Sequence, residues 1–416
     1  MTLFEEFEWR GMLYDATDGA RETLAKEKVT AYIGFDPTAS SLHVGSLLPI
    51  MALARLQRLG HSPIALVGGG TGMIGDPSGK SQERSLLSIE EIDANARGMR
   101  AQLERFLDFN AQPNAARMVN NADWLRTISL LEFLRDTGKH FTVNYMLAKE
   151  SVKRRLGGDE GISFTAFSYL LLQAHDYLVL HDRMGCTLQM GGSDQWGNIV
   201  AGCDLIRKMR GAKAHGVVLP LVTTSAGTKF GKTEAGTVWL DPQRTSERDF
   251  YQFWLQADDR DVINYLRFFT WLDRAEIERL ERALQEDPSS RAAQRRLADE
   301  VTRTVHGADT LASVQGDAAL RFGGAVTAEA LGQVTPVASI PMAKLTAGLA
   351  NTELVVLAGL AKSKSEAFRL IEQGGVTIND VTVTDPRGLV KADQALGRRL
   401  KVSKGRRGVA VVEFTP

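Results

Sequence analysis

Two short runs of β-branched and aromatic residues, VTAYIGFD (29–36) and PIALVGG (63–69), enclose a stretch of helical periodicity from about Val44 to Leu59. Strand, helix and strand in that order join as a parallel crossover, which commits the chain to an α/β sheet. Pro37 ends the first run, and Pro49 falls in the first helical turn, where its missing N–H costs nothing. SIEEIDANARGMRAQLERFL opens with a Ser88–Glu91 capping box and continues as a helix, and RMVNN and CTLQMGG are further strand candidates. From about Ser246 to His306 the character changes to successive amphipathic helices: SERDFYQFWLQ, RDVINYLRFFTWL, DRAEIERLERALQ and SSRAAQRRLADEVTRTVHG. Small residues from Gly316 to about Pro341 read as a linker, and short helix and strand signals from about Ala350 form a third unit. A chain of 416 residues has room for this three-part division.

Composition excludes several classes. Fifty Lys and Arg balance fifty Asp and Glu, so no global charge points to nucleic acid. Cys186 and Cys203 fit neither a zinc spacing nor a disulfide framework, and a reducing cytoplasm is expected. The N-terminal MTLFEEFEWRGM carries acid where a signal peptide carries base, and no apolar run reaches membrane-spanning length. The expectation is a soluble cytoplasmic protein with no membrane contact.

The stretch GGGTGMIGDPSGKS (68–81) matches two nucleotide motifs superficially. Gly70, Gly72 and Gly75 satisfy a dinucleotide fingerprint, but that motif needs a helix to start among its glycines, and Pro77 and Gly79 prevent one. A P-loop needs glycine where Ile74 stands. What remains is a glycine-rich loop at the end of a parallel strand carrying Asp76, Lys80 and Arg84, or else an ordinary solvated loop. FDPTASSLHVGS (35–46) sets His43 and Ser46 where a helix begins, a position suited to phosphate or to a simple histidine cap. In the apolar helix SFTAFSYLLLQAHDYLVL (163–180), Tyr169, Gln173 and Asp176 fall on one face, facing either a small polar ligand or solvent. GGSDQWGN (191–198) repeats the strand, loop and helix logic with Ser193 as the expected N-cap. TKFGKTEAG (228–236) presents Lys229, Lys232 and Thr233, suited to a polyanionic leaving group or simply solvated. The remaining histidines show no metal-ligand spacing, no metal site is expected, and no Ser-His-Asp or Cys-His nucleophile stands out.

Taken in order, these pieces resemble the bacterial tyrosyl-tRNA synthetases, which are class I aminoacyl-tRNA synthetases, over essentially the whole length. HVGS (43–46) is similar to the class I HIGH signature and KFGKT (229–233) to the KMSKS signature; YIGFDPT, GDPSGK, YLLLQAHD and GGSDQWGN also match. The resemblance implies a Rossmann-like parallel-sheet catalytic domain (1–225), a KFGKT catalytic loop (226–245) and an α-helical anticodon-binding domain (246–325). A linker (326–349) and a small α+β C-terminal RNA-binding domain (350–416) would follow. It implies ligation of L-tyrosine to tRNA(Tyr), with ATP and Mg2+ as substrate, no permanently bound cofactor, and a homodimer. By the same resemblance, Asp76, Tyr169 and Gln173 meet the tyrosine ammonium group. Tyr32 and Asp176 hydrogen-bond its phenol, and Gln189 and Gln195 complete that site. Gly34, Asp36, His43, Gly45, Ser46, Gly192, Asp194 and Lys232 serve ATP, and Thr38, His43, Lys80, Arg84, Lys229, Lys232 and Thr233 are the catalytic set. Ser46 departs from the signature, where histidine is usual, and Ile33 near the ribose offers no hydrogen bond.

LAGLAKSKSEAFRLIEQGGVTINDVTV (357–383) resembles the small RNA-binding domain first named from a small-subunit ribosomal protein. Residues 340–416 hold 12 Lys/Arg against 7 Asp/Glu, an excess of 5, and GRRLKVSKGRR (397–407) has six bases and no acid, as expected of a phosphate-binding patch. KESVKRRL (149–156) and IRKMR (206–210) read better as charged helix faces than as acceptor-stem contacts. The rival readings are a tryptophanyl synthetase, disfavoured by Tyr32, Asp176 and the C-terminal unit, and a synthetase-like RNA-binding or splicing factor without aminoacylation. The intact set of His43, Asp76, Lys229 and Lys232 disfavours the latter.

Overall fold

The computed structural model describes residues 1–78, 88–157, 161–228, 230–233, 236–321, 326–332, 334–405 and 408–416. Its contacts divide the chain into two compact units, Met1–Val305 and His306–Pro416. Lys80, Arg84 and Lys229 lie outside the described residues.

The first unit is built on six strands: β1 (Asp15–Ala16), β2 (Thr30–Phe35), β3 (Ser62–Val67), β4 (Arg117–Asn120), β5 (Cys186–Gly192) and β6 (His215–Leu219). Their order across the sheet is β1-β6-β5-β2-β3-β4. β2 to β6 run parallel, and only β1 is antiparallel, on β6. Strand order reverses between β2 and β5, so the connections leaving their carboxyl ends diverge and open a crevice. After α1 (Leu3–Arg10), the helix expected from Val44 begins instead as a 3-10 turn, Val44–Ser46, and becomes α2 (Leu47–Arg58). α3 (Ile89–Leu103) carries the expected capping box of Ser88 and Glu91. α4 (Phe164–Met184), capped by Ser163, lies against α5 (Trp196–Arg210) so closely that a Cβ on Gly202 would come within 2.7 Å of the Tyr177 ring. The four expected helices follow as α6 (Glu247–Leu255), α7 (Val262–Phe269), α8 (Arg274–Glu286) and α9 (Ala292–His306).

A buried cluster ties α1 and α2 to α7. Glu6, Arg10 and Arg55 are 6%, 4% and 3% exposed. One carboxylate oxygen of Glu6 accepts from Arg10 Nε at 2.5 Å and from Arg55 Nη1 at 3.0 Å. The two guanidinium groups then donate to the carbonyls of Arg267, Thr270 and Leu272, which gather around the C-terminal end of α7. Two cations facing the negative end of a helix are stabilised there, and Glu6 offsets their mutual repulsion. Burial, with Arg10 close by, brings the Arg55 pKa down to about 9.

The second unit opens with α10 (Ala308–Arg321) and α11 (Ala328–Gly332). Its sheet has the order β11-β10-β12-β13-β9, with β9 (Ala338–Pro341), β10 (Val376–Ile378), β11 (Val381–Thr382), β12 (Arg399–Lys404) and β13 (Gly408–Thr415). β9 is parallel to β13 and the other pairs are antiparallel. The linker expected at 326–349 is therefore corrected: it holds α11, the edge strand β9 and α12 (Met342–Thr346). Its alanines and glycines suggested slack, but Leu331, Val334, Ile340, Leu345 and Leu349 are buried and anchor it.

Glu6→Ala leaves two buried arginines without their counter-ion. We expect it to lower the unfolding free energy by about 3–5 kcal/mol, measured by denaturant titration; a loss below about 1 kcal/mol would contradict the account of this cluster.

Candidate active site

A cavity of about 210 Å³ opens at the β2/β5 reversal. Its lining draws on β2 (Tyr32, Ile33, Gly34), the segment after it (Asp36), the glycine loop (Gly68, Thr71, Asp76), α4 (Tyr169, Gln173, Asp176) and β5 (Gln189 to Gly192), with Asn121 and Gln195 completing it. The helical stripe thus lines a cavity: Tyr169 is 4% and Asp176 2% exposed, and Gln173 is half-buried. Burial, with the carboxylates of Asp36, Asp76 and Asp176 nearby, raises the Tyr169 phenol well above its usual range.

At the deep end, the Asp176 carboxylate is fully buried and accepts from Asn121 Nδ2 at 2.8 Å and Trp124 Nε1 at 2.7 Å. Burial outweighs these two donors and raises its pKa to about 7. Each carboxylate oxygen retains acceptor capacity toward the cavity. The Tyr32 hydroxyl and the Gln189 Oε1 are buried without a hydrogen-bond partner, and both residues line the same cavity. Most buried polar groups have a hydrogen-bond partner, and a ligand in this cavity would supply one to both.

Nearer the mouth, Asp76 accepts from the Ser78 N–H at 2.8 Å and from Gln195 Nε2 at 2.8 Å. Asn198 Nδ2 donates to Gln173 Oε1 at 3.1 Å, Gln195 Oε1 at 3.2 Å and Ser78 Oγ at 3.3 Å, cross-bracing three of the lining segments. Asn121, Trp124, Thr71 and Asn198 were not singled out from the sequence. For Asn121 a signal existed: it directly follows the strand β4, at the carboxyl edge where ligands bind. Asn121 Oδ1 also accepts from Gly70 N at 2.7 Å, pinning the glycine loop. Among the described residues no α-helix starts at those glycines; β3 is followed by a 3-10 turn, Thr71–Met73.

The HVGS and KFGKT segments meet. Val44 N donates to Val238 O at 3.0 Å, Leu240 N to Leu42 O at 2.9 Å, and Val238 N to Gly231 O at 3.0 Å. Gly231 has φ +79°, and a Cβ there would lie 2.6 Å from Val44 Cγ2, so the contact requires glycine. β7 (Lys232–Thr233) pairs with β8 (Gly236–Thr237) to close this loop, and Lys232 is exposed. His43 Nδ1 accepts from Gly45 N at 3.0 Å, so the histidine does cap the turn, and its ring meets Trp239 edge-on. Thr38 is exposed; Ser46 is half-buried and makes no side-chain cap. Ser193 is not the N-cap expected of it. It begins a 3-10 turn, Ser193–Gln195, that Gly192 precedes, because the chain tightens before α5. A Cβ on Gly192 would approach Asp194 Oδ1 to 2.6 Å, and Asp194 itself is exposed.

The C-terminal basic stretch is less available than its composition suggests. Arg399 pairs with Glu413 and Lys404 with Glu366, and Lys401, 3% exposed, pairs with Asp380 at 2.7 Å. Arg398 is exposed, and Arg406 and Arg407 lie outside the described residues.

The family described as tRNA synthetases class I (W and Y) matches residues 24–323, and the S4 domain matches 353–396. A tyrosine–tRNA ligase of Roseiflexus castenholzii is 53% identical over 98% of both chains. One from Geobacillus stearothermophilus is 47% identical over the whole of both. Among solved structures, a C-terminally truncated mitochondrial tyrosyl-tRNA synthetase of Aspergillus nidulans superposes with TM-score 0.70 at 32% identity, covering 77% of this chain and 94% of its own. A tryptophanyl-tRNA synthetase of Encephalitozoon cuniculi, at 15% identity and TM-score 0.54, shares the fold alone; it covers 75% of this chain and 88% of its own. With its parallel-sheet core, its helices and its C-terminal S4 domain, the chain belongs to the class I tRNA synthetase family, in the tyrosine–tRNA ligase branch.

Proposed function

We propose that the cavity binds L-tyrosine and that the chain joins it to tRNA(Tyr) in two steps, with magnesium–ATP as co-substrate. A tyrosine carboxylate oxygen attacks the α-phosphorus, the bond to the β-phosphate breaks, and pyrophosphate leaves. A ribose hydroxyl of the tRNA's terminal adenosine then attacks the tyrosyl carbonyl carbon, and AMP leaves. The observation that carries this reading is the pairing, in one cavity, of an unpartnered buried Tyr32 hydroxyl with a buried Asp176 carboxylate. A phenol there donates to Asp176 and accepts from Tyr32; phenylalanine would leave the Tyr32 hydroxyl unpartnered and Asp176 one donor short.

Asp76, Tyr169 and Gln173 receive the ammonium group in this scheme, and Gln189 and Gln195 complete the tyrosine site. Gly34, Asp36, Gly45, Ser46, Gly192 and Asp194 lie along the nucleotide. Thr38, His43, Lys80, Arg84, Lys229, Lys232 and Thr233 are assigned to the phosphates, to stabilise charge developing in transfer. No covalent enzyme intermediate is required, so rate comes from positioning and electrostatics. Residues 1–225 with the 226–245 loop are the proposed catalytic part, 246–325 the anticodon-binding part, and the S4-containing end a further RNA contact. The proposed compartment is the cytoplasm; among the described residues no helix is long and apolar enough to cross a membrane.

A homodimer is also proposed. Leu130, Leu131, Val143 and Phe164 are 70%, 79%, 60% and 77% exposed, an apolar load unusual for a surface facing water. Leu131→Asp should shift the protein toward half its mass in sedimentation at micromolar concentration; an unchanged mass rules this segment out of the interface.

Pyrophosphate exchange across a panel of amino acids should proceed with tyrosine and not with phenylalanine or tryptophan. In the same assay, Lys232→Ala should slow adenylate formation about 10²-fold or more while leaving tyrosine affinity nearly unchanged. An unaltered rate removes Lys232 from the scheme.

Asp176 accepts a hydrogen bond from the phenol more strongly when ionised, and its pKa is raised to about 7. Tyrosine affinity should therefore increase as pH rises from about 5.5 through neutrality to about 8. An Asp176→Asn protein should bind weakly with a flat profile over that range, by equilibrium dialysis. The sign for stability is opposite: a carboxyl whose folded pKa lies above its unfolded value favours the folded state at low pH, and this contribution is lost as pH rises toward 7.

A further inference from the structure

The segment carrying the KFGKT signature is fastened to α7 at two places that the reaction scheme does not use. The Asp261 carboxylate, 9% exposed and immediately before α7, accepts from Ser225 N at 3.1 and 3.0 Å and from Ser225 Oγ at 3.1 Å. Five residues on, Phe230 is 4% exposed and inserts among aromatic rings of α6 and α7. Its centroid lies 4.9 Å from Tyr265, 5.4 Å from Phe269 and 5.8 Å from Trp254. Between these fastenings the chain turns back on itself, with Gly227 N donating to Thr224 O at 2.8 Å and Thr224 N to Thr228 O at 3.0 Å. Beyond Phe230, Gly231 rests on Val44.

The opposite end of α7 is held by Arg10 and Arg55, and Arg55 belongs to the helix that starts directly after HVGS. The attachments form a closed circuit: HVGS, α2, Arg55, α7, Asp261 and Phe230, the KFGKT loop, and back to HVGS through Val44 and Val238. α7, about 12 Å long at 1.5 Å per residue, is the strut of that circuit.

We propose that Asp261 is a positioning residue for the ATP-dependent step: by latching Ser225 it fixes where the KFGKT loop sits over HVGS, and it touches no substrate itself. This rests on the assignment of Lys232 to the phosphates. A carboxylate bridging one backbone N–H and its own side-chain hydroxyl sets both position and orientation of that residue, which a packed aromatic ring alone does not. Displacing a catalytic group by a full ångström costs as much as ~10²-fold in rate, so a loosened latch is expected to cost about tenfold.

The test is rapid mixing at saturating tyrosine with varied ATP, on Asp261→Asn, Ser225→Ala and the double variant of the full-length protein. Each single change should slow adenylate formation about tenfold and leave the tyrosine dissociation constant within about twofold. The double variant should be no slower than the slower single one, because both act through one contact. Parental rates in both singles, losses that multiply in the double, or equal weakening of tyrosine binding would each overturn the proposal. Thermal melting accompanies every variant; if Asp261→Asn melts early, the Ser225→Ala arm decides alone, by loss or retention of rate at parental stability. Lys232→Ala separates the two levels. If it retains full rate, the phosphate assignment itself fails; if it is slow while the Asp261 and Ser225 variants are not, only the latch fails.

Discussion

An ionisable carboxyl group buried to 2% exposure is costly, and the architecture of the first unit is arranged around keeping one, Asp176. Asp176 sits on a helix whose neighbours are nearly all apolar, beneath the carboxyl edge of a parallel sheet. Its two donors come from one short stretch after β4, Asn121 and Trp124. Two neutral donors do not fully compensate a buried charge, which is why its pKa stays near neutrality instead of returning to the carboxylate range. The uncompensated part is available to a guest. On the proposed assignment, a phenolic hydroxyl would supply a third hydrogen bond and give the orphaned Tyr32 hydroxyl a partner. Selectivity on this view comes from what the protein leaves unsatisfied, more than from the shape of the hollow.

The same logic extends outward by rigid links. Asn121 holds Asp176 with one end and the Gly70 N–H with the other, so the glycine loop that carries Asp76 is registered to Asp176. Asn198 does the equivalent for Gln173, Gln195 and Ser78. On the proposed assignment, a substrate held at its phenol and at its ammonium group would have little orientational freedom at its carboxylate, and that loss, already taken on binding, is what a positional mechanism needs.

Much of this was legible in the sequence, for identifiable reasons. The parallel crossovers followed from periodicity, and Tyr169, Gln173 and Asp176 followed from helical spacing, because both are local patterns that tertiary structure only has to respect. What escaped reading was set by partners distant in the chain. Asn121 and Asn198 are ordinary polar residues until a fold brings a carboxylate or three amide and hydroxyl groups around them. The six bases of GRRLKVSKGRR looked like one patch because composition ignores pairing. In the sheet, Arg399, Lys401 and Lys404 turn to Glu413, Asp380 and Glu366. The supposed linker failed similarly: spaced single leucines and an isoleucine among alanines show no period of 2 or 3.6, yet each one fills a core position.

The convergence of HVGS and KFGKT illustrates why two sequence signatures separated by nearly two hundred residues can act together. Neither segment is regular secondary structure over its full length, and an irregular loop held only at its ends would sample many positions. Here the loop is bonded through Val238 to Val44 on one side and pressed by Phe230 into the aromatic rings of α6 and α7 on the other. Those contacts are of different kinds. The backbone bonds fix register, the ring packing fixes depth, and Gly231 removes the one side chain that would hold the two segments apart. α7 in turn is not free to move, because two buried arginines grip its C-terminal carbonyls from helices of the sheet domain. Lys232 can therefore remain exposed on its own side chain while its backbone is held in a defined place. That combination suits the role proposed for Lys232, reaching a phosphate during the reaction and releasing pyrophosphate after it.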